Sequence, residues 1–186
     1  SLQILYCYNN QLTTLDVSQN TALTYLRCDY NQLTTLDVSQ NTALISLYCH
    51  SNQLTTLDVS NNTALYDLYC NSNQLTTLDV STNTALLQLQ CQNNQLTSLD
   101  LRNGNNMNIY LGSSYYFNLT NNPQLYCIDV DDVVWSTANW TVSNGIISWY
   151  SGFSNNCATA LYGCMDPLAY NYDPTATLNY ACDYGM

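Results

Sequence analysis

Five cysteines, Cys7, Cys28, Cys49, Cys70 and Cys91, stand 21 residues apart, and the single histidine of the chain, His50, directly follows the third of them. Sulfur and imidazole together could hold a metal ion, or an imidazole could activate a neighbouring thiol as a nucleophile. The spacing argues against both. One thiol per period supplies no C-x-x-C pair, and on an extended chain adjacent residues such as Cys49 and His50 point to opposite sides. Packing is the expected role, because buried cysteine behaves as a small hydrophobe. Periods stacked at about 4.8 Å would bring neighbouring cysteines within disulfide range, so distance leaves oxidised pairs open while side-chain direction opposes them.

Carboxylates follow the same period at Asp16, Asp37, Asp58, Asp79 and Asp100. Like charges about 5 Å apart repel by on the order of 1 kcal/mol in a high dielectric. Solvent screening and hydrogen bonds from the neighbouring Thr and Ser hydroxyls are the expected relief. With one carboxylate per period and no Glu beside it, low-affinity cation binding is the most this column implies.

The wider inventory disfavours catalysis. All 13 acidic residues are Asp, there is no Lys, and the six Gly form no phosphate-cradling or nucleophile-elbow motif. No enzyme activity is expected. Only 8% of residues are charged and the net charge is -11, which opposes nucleic acid as a partner, because phosphate binding depends on Lys and Arg. No apolar run approaches the roughly 20 residues of a membrane span. At 186 residues and 46% hydrophobic, the chain can bury a core.

The elements that carry these residues follow from the period. From Thr21 it reads T-A-L-x-x-L-x-C-x-x-N-Q-L-T-T-L-D-V-S-x-N, and it recurs from Thr42, Thr63 and Thr84. Within it L-x-x-L-x-[LCV]-x-x-N occurs twice, at Leu23–Asn31 and at Leu33–Asn41, so each turn is expected to carry two short strands. Leu26 and Cys28 would alternate inward, with residues 25, 27 and 29 towards solvent. Asn31 and Asn41 fall where the chain must turn, and an inward amide there can bond the backbone groups that a bend leaves unpaired.

This pattern resembles the nested, IRREKO-type leucine-rich repeats of secreted and surface proteins of Bacteroidetes and related bacteria. The resemblance covers residues 1–102 and implies a mainly β, right-handed leucine-rich-repeat solenoid with 21-residue turns. Residues 103–157 read as degraded turns plus a cap, with Ile109, Leu111, Phe117, Leu119 and Leu125 keeping strand-like spacing and Trp135, Trp140 and Trp149 as covering bulk. The stretch from Cys127 to Cys157 looks like the segment that often follows such repeats, and a Cys127–Cys157 disulfide fits it. Residues 158–186 form a small module similar to the G-C-x-D-P-x-A-x-N-Y-x-P repeats of secreted bacterial proteins, which implies a Cys164–Cys182 disulfide. Its Asp166, Asn171, Asp173 and Asp183 are open to two readings, calcium ligands or Asx turns. Calcium is the one cofactor in view.

Aligning the repeats with each other separates scaffold from variation. The outward positions of the L-T-T-L-D-V-S face are nearly constant, whereas those of the L-x-x-L-x-C face change from turn to turn. The variable columns read Ile4, Tyr25, Ser46, Asp67, Gln88; Tyr6, Arg27, Tyr48, Tyr69, Gln90; and Tyr8, Asp29, His50, Asn71, Gln92, with Tyr30 and Tyr66 at the margins. Tyr and Arg are enriched at binding hot spots, although strand propensity alone also favours Tyr. The candidate ligand face is therefore Tyr6, Tyr8, Tyr25, Arg27, Asp29, Tyr48, His50, Tyr69 and Asn71, facing a protein or glycan. The competing expectation is a spacer or filament subunit with end-to-end self-association.

Cysteines outside the ladder that pair evenly point to an oxidising compartment, so an extracellular or cell-surface location is expected. N-x-[ST] sites at Asn61, Asn118 and Asn139 matter only in a glycosylating host. A start in mid-turn at Ser1 and an end at Met186 without a sorting segment lead us to expect a fragment of a longer protein, with an open sheet edge near Ser1–Cys7.

Overall fold

The computed structural model describes residues 2–109, 115–179 and 182–185. Ser1, Leu111 and Met186, which figure in the expectations above, lie outside the described residues.

The elements in chain order are β1 (Ile4–Tyr6), β2 (Tyr25–Arg27), β3 (Ser46–Tyr48), β4 (Asp67–Tyr69), β5 (Thr77–Asp79), β6 (Gln88–Gln90), β7 (Ser98–Asp100), β8 (Phe117–Asn118), β9 (Cys127–Asp129), α1 (Val133–Asn139), β10 (Gly152–Ser154), β11 (Tyr162–Gly163) and β12 (Leu178–Asn179). One parallel sheet runs β1-β2-β3-β4-β6-β8, a second runs β10-β9-β7-β5, and β11 pairs with β12. The chain is thus a mainly β solenoid of about seven turns whose first four periods advance by 21 residues, as the register Leu5, Leu26, Leu47, Leu68, Leu89 requires.

The core lies between the two sheets. Leu26, Cys28, Leu33, Val38 and their equivalents in each later turn are buried in a single cluster. Phe117 continues the leucine column opposite Leu89, so the ladder survives beyond the last regular repeat.

Side chains tie the turns together where strands end. Asn73 donates from Nδ2 to the carbonyls of Cys49 (3.1 Å) and Cys70 (3.0 Å), and its Oδ1 accepts the Leu54 N–H (3.0 Å). Asn31, Asn52 and Asn94 repeat this, and Asn122 does so in the irregular region despite its different spacing. The residue before each of these asparagines occupies the left-handed region, including Tyr30 (φ 52°) and Ser51 (φ 55°).

The second face departs from the expectation of two strands per turn. Its strand is formed at Thr77–Asp79 and Ser98–Asp100 but not around Thr14, Thr35 or Thr56. Among the described residues, the first three turns exchange no ladder hydrogen bonds along Thr14–Val17, Thr35–Val38 and Thr56–Val59. There the turns are joined instead by Asn41 and Asn62, whose amides donate to Val17 and Val38 carbonyls at 3.0 Å each.

The cap corrects one part of the reading. Trp140 is fully buried against Phe117 (4.7 Å between ring centroids) and Phe153 (5.7 Å), and Trp135 packs on it at 5.6 Å. Trp149 does not cover the core: it is 79% exposed and meets only the Tyr150 ring edge-on at 5.5 Å among the ring contacts of the described residues. It follows the buried Ile146 and Ile147 on the loop before β10 and lines the rim of an open pocket with Ile147, Phe153 and Leu178. Asp132 caps α1 by accepting the Trp135 N–H at 2.9 Å. Both disulfides are present, Cys127–Cys157 and Cys164–Cys182. The small module touches the cap through Leu178, which lies so close to Gly152 that a Cβ there would stand 2.8 Å from Leu178 Cδ1.

Candidate recognition face

The parallel register of β1 to β4 and β6 puts the variable residues in straight columns: Ile4, Tyr25, Ser46, Asp67 and Gln88 in one, and Tyr6, Arg27, Tyr48, Tyr69 and Gln90 in the next. Tyrosines one turn apart therefore meet. Tyr6 and Tyr25 contact at 5.4 Å, Tyr25 stacks on Tyr48 at 5.4 Å, and Tyr48 meets Tyr69 at 4.7 Å. Tyr69 is held from the far side by its hydroxyl, which donates to Gln88 Oε1 at 2.6 Å. The result is a continuous aromatic ridge, exposed at Tyr6 and almost closed over at Tyr69, which is 8% exposed.

Beside the ridge the third column behaves differently from the expectation of a solvent-facing residue 29. Asp29 is wholly buried. Its Oδ1 accepts from Arg27 Nε at 2.8 Å, its Oδ2 lies 3.5 Å from His50 Nε2, and Arg27 in turn rests 4.3 Å over the Tyr8 ring. Tyr30 packs edge-on against His50 at 5.1 Å. The reason is local: residues 27 and 29 lie two apart on one side of an extended chain, so opposite charges fold onto each other and Tyr8 and His50 close over them. Asp29 thus supports the face rather than presenting a free carboxylate. Burial holds the His50 pKa below its usual range, with Arg27 adding to the effect and Asp29 opposing it.

Asp67 is the second carboxylate of the face and has no cation beside it. The Ser46 hydroxyl donates to its Oδ2 at 2.8 Å, while its Oδ1 is covered and has no hydrogen-bond partner. Burial raises its pKa, against the lowering influence of the Ser46 and Tyr48 hydroxyls. In the third column, Asn71 Oδ1 and Gln92 Oε1 are likewise buried acceptors without donors. The pairing of Arg27 with Asp29 was readable in their two-residue spacing and opposite sign; the covering of Ser46, Tyr69 and Gln90 by neighbouring turns was not.

Asp166 is spent on the Leu168 N–H (2.9 Å) and the Tyr184 hydroxyl (2.7 Å), Asn171 on the Asp183 N–H (2.7 Å), and Asp173 on Thr175 N–H (2.8 Å). The bonds from Leu168 and Thr175 shape turns, whereas those from Tyr184 and Asp183 tie the last residues back onto the module; among the described residues no three His, Cys or Asp side chains converge to hold a metal. On the second face, Asp16, Asp37, Asp58 and Asp79 each accept the N–H of the Ser two residues on, at 2.8–2.9 Å. Backbone amides as well as hydroxyls therefore relieve that column: the Ser18 and Ser39 amides, then their hydroxyls, hold the pKa of Asp16 and Asp37 low, and the Ser60 hydroxyl, then its amide, that of Asp58. The five ladder cysteines are free thiols, and burial pushes those of Cys28, Cys49 and Cys70 far up and that of Cys91 up to about 12. Thiols held protonated in the core, as those of Cys28, Cys49, Cys70 and Cys91 are, make poor nucleophiles. Among the described residues no helix is long and apolar enough to cross a membrane.

Comparison with known proteins places the fold. No protein-family model matches the chain, and no curated protein does. Among solved structures, a leucine-rich-repeat protein of Leptospira interrogans matches at a TM-score of 0.58 and 25% identity over 80% of this chain and 37% of its own. The functional domain of InlJ from Listeria monocytogenes, which includes a cysteine ladder, is 32% identical over 69% of this chain and 34% of its own, at a TM-score of 0.33. This chain spans about a third of the length of those structures. The solenoid is of the leucine-rich-repeat kind, whose stacked turns present an extended surface suited to binding.

Proposed function

We propose that this chain is a non-catalytic recognition module, exposed outside the cell, that binds a protein through the tyrosine ridge of its first sheet. The observation that supports it is the continuity of Tyr6, Tyr25, Tyr48 and Tyr69 across four turns whose core residues repeat while these positions change. Tyrosine supplies wide contact area at small rotamer cost, and the rigid ladders beneath mean that little order has to be imposed on binding. The two disulfides fit an oxidising location.

The test is a binding screen of the full chain against cell-surface protein extracts and a glycan panel, beside a variant with Tyr6→Ser, Tyr25→Ser and Tyr48→Ser. Arg27 and His50 stay in place, because removing them would strand the buried Asp29 and confuse binding with folding. Protein capture lost in the variant supports the reading. Capture retained by the variant, or of glycans alone, overturns it, and no capture by either protein favours a spacer.

A further inference from the structure

The face already contains one finished cation site and one unfinished one. In the first, Arg27 lies between the Asp29 carboxylate (2.8 Å) and the Tyr8 ring (4.3 Å), so a guanidinium is held by a buried anion on one side and an aromatic face on the other. Two turns on, the same components recur without the cation. Asp67 sits in the column of Tyr25 and beside Tyr48 and Tyr69, half-buried, its carboxylate bonded by the Ser46 hydroxyl (2.8 Å to Oδ2) and the Tyr48 hydroxyl, with Oδ1 covered and without a hydrogen-bond partner. Both tyrosines feel its charge, which together with burial raises their pKa.

Among the described residues no basic side chain is free to complete that site. The only basic side chains besides His50 are Arg27, committed to Asp29, and Arg102, which binds Asp100 at Nε–Oδ1 2.9 Å on the other sheet. His50 is turned towards Asp29. Two columns away, Asn71 Oδ1 and Gln92 Oε1 are buried acceptors without donors, so the face adds lone pairs and ring faces but no further cation. The whole chain carries a net charge of -11, which draws cations towards it.

From this we infer that the Asp67–Tyr48–Tyr69 cluster receives an arginine or lysine side chain of a protein partner, in the way that Asp29 and Tyr8 receive Arg27. The inference rests on the recognition reading above and narrows it to a basic segment. Arginine suits the site better than lysine, since a planar guanidinium can bond the carboxylate and lie along a tyrosine ring at once.

The experiment titrates the full chain with the peptide acetyl-(Gly-Arg)3-amide, with its citrulline analogue, which has the same shape and no charge, and with its Glu analogue. Binding is read by calorimetry and by shifts of the tyrosine ring resonances. The chain is compared with Asp67→Asn and with Asp58→Asn, which removes the same charge from the opposite face. The expected result is saturable binding of the arginine peptide, about tenfold weaker with citrulline and about tenfold weaker for Asp67→Asn, while Asp58→Asn stays within about twofold. Equal losses for the two Asp variants would mean attraction by overall charge alone, and equal binding of citrulline would mean that charge is not read; either overturns the inference. If the citrulline or Glu peptide binds as well as the arginine peptide and Tyr48→Ser abolishes it, the recognition face stands and the cation site falls. If no peptide of any charge binds and the protein screen above is also empty, both fall together. Thermal melting of Asp67→Asn at or above that of the parent separates lost binding from lost structure.

Discussion

Arg27 Nε and Asp29 Oδ1 are 2.8 Å apart, and the carboxylate is entirely buried beneath the guanidinium and the His50 ring. A charge in that position depends on its partner, since unpaired burial costs several kcal/mol. Arg27→Gln is expected to lower unfolding free energy by about 2–4 kcal/mol, less than for a fully enclosed pair because Arg27 is partly exposed. The double variant Arg27→Gln, Asp29→Asn should recover much of the loss. Urea unfolding of the three proteins checks this, and a double variant no better than the single one would refute it.

The two asparagine ladders are unequal. Asn73 makes three bonds at 3.0–3.1 Å, two as donor and one as acceptor, whereas Asn62 donates two and its Oδ1 accepts none. Asn73→Ala should therefore cost about 2–4 kcal/mol and Asn62→Ala about 1–2 kcal/mol less than that. Asn73→Asp should be as damaging as alanine, because a carboxylate cannot donate to the Cys49 and Cys70 carbonyls. Chemical denaturation curves would show the ranking.

Asp67 and His50 predict opposite pH windows. The folded pKa of Asp67 is above its ordinary 3.8, so the native state holds its proton more tightly; that stabilisation is present below 3.8 and lost as pH rises through the folded value. Asp67→Asn should gain stability relative to the parent over that rise and keep the gain at neutral pH. The His50 pKa is depressed below 6.5, so the unfolded chain protonates first and stability declines as pH falls below 6.5. His50→Gln should flatten that decline. Melting temperatures between pH 3 and pH 8 test both, and parallel curves for parent and variants would refute them.

Thiol alkylation should discriminate along the ladder. Cys7 is partly exposed, whereas Cys28, Cys49, Cys70 and Cys91 are buried with raised pKa values. Iodoacetamide on the folded protein should label Cys7 first and reach the other four only as fast as the solenoid opens. Mass spectrometry of the labelled peptides gives the order; rapid labelling of Cys70 would contradict the packing.

Gly152 is where the small module meets the cap. Because a Cβ there would lie 2.8 Å from the end of the buried Leu178 side chain, Gly152→Ala should displace that leucine and loosen the module at a cost of about 1–3 kcal/mol. Limited proteolysis should then cut between residues 158 and 178 sooner than in the parent, with the repeats untouched.

The solenoid was legible because its information is periodic. Leu, Cys, Val and Asn recur at 21-residue intervals, and a stacked turn can bury its apolar side only if the next turn presents the same one, so the pattern in the chain determines the pattern in space. The same logic announced the variable columns, since inward and outward alternation along a short strand follows from backbone geometry. What the sequence left undecided was which outward residues remain free. Asp29 vanishes under Arg27 and His50, Tyr69 is closed over by Tyr48 and Gln88, and Trp149 stands in solvent where a covering role was expected. Those outcomes depend on side chains from different turns meeting across the sheet and on how the irregular region after residue 102 folds back. Neither relation repeats, so only the tertiary structure sets them.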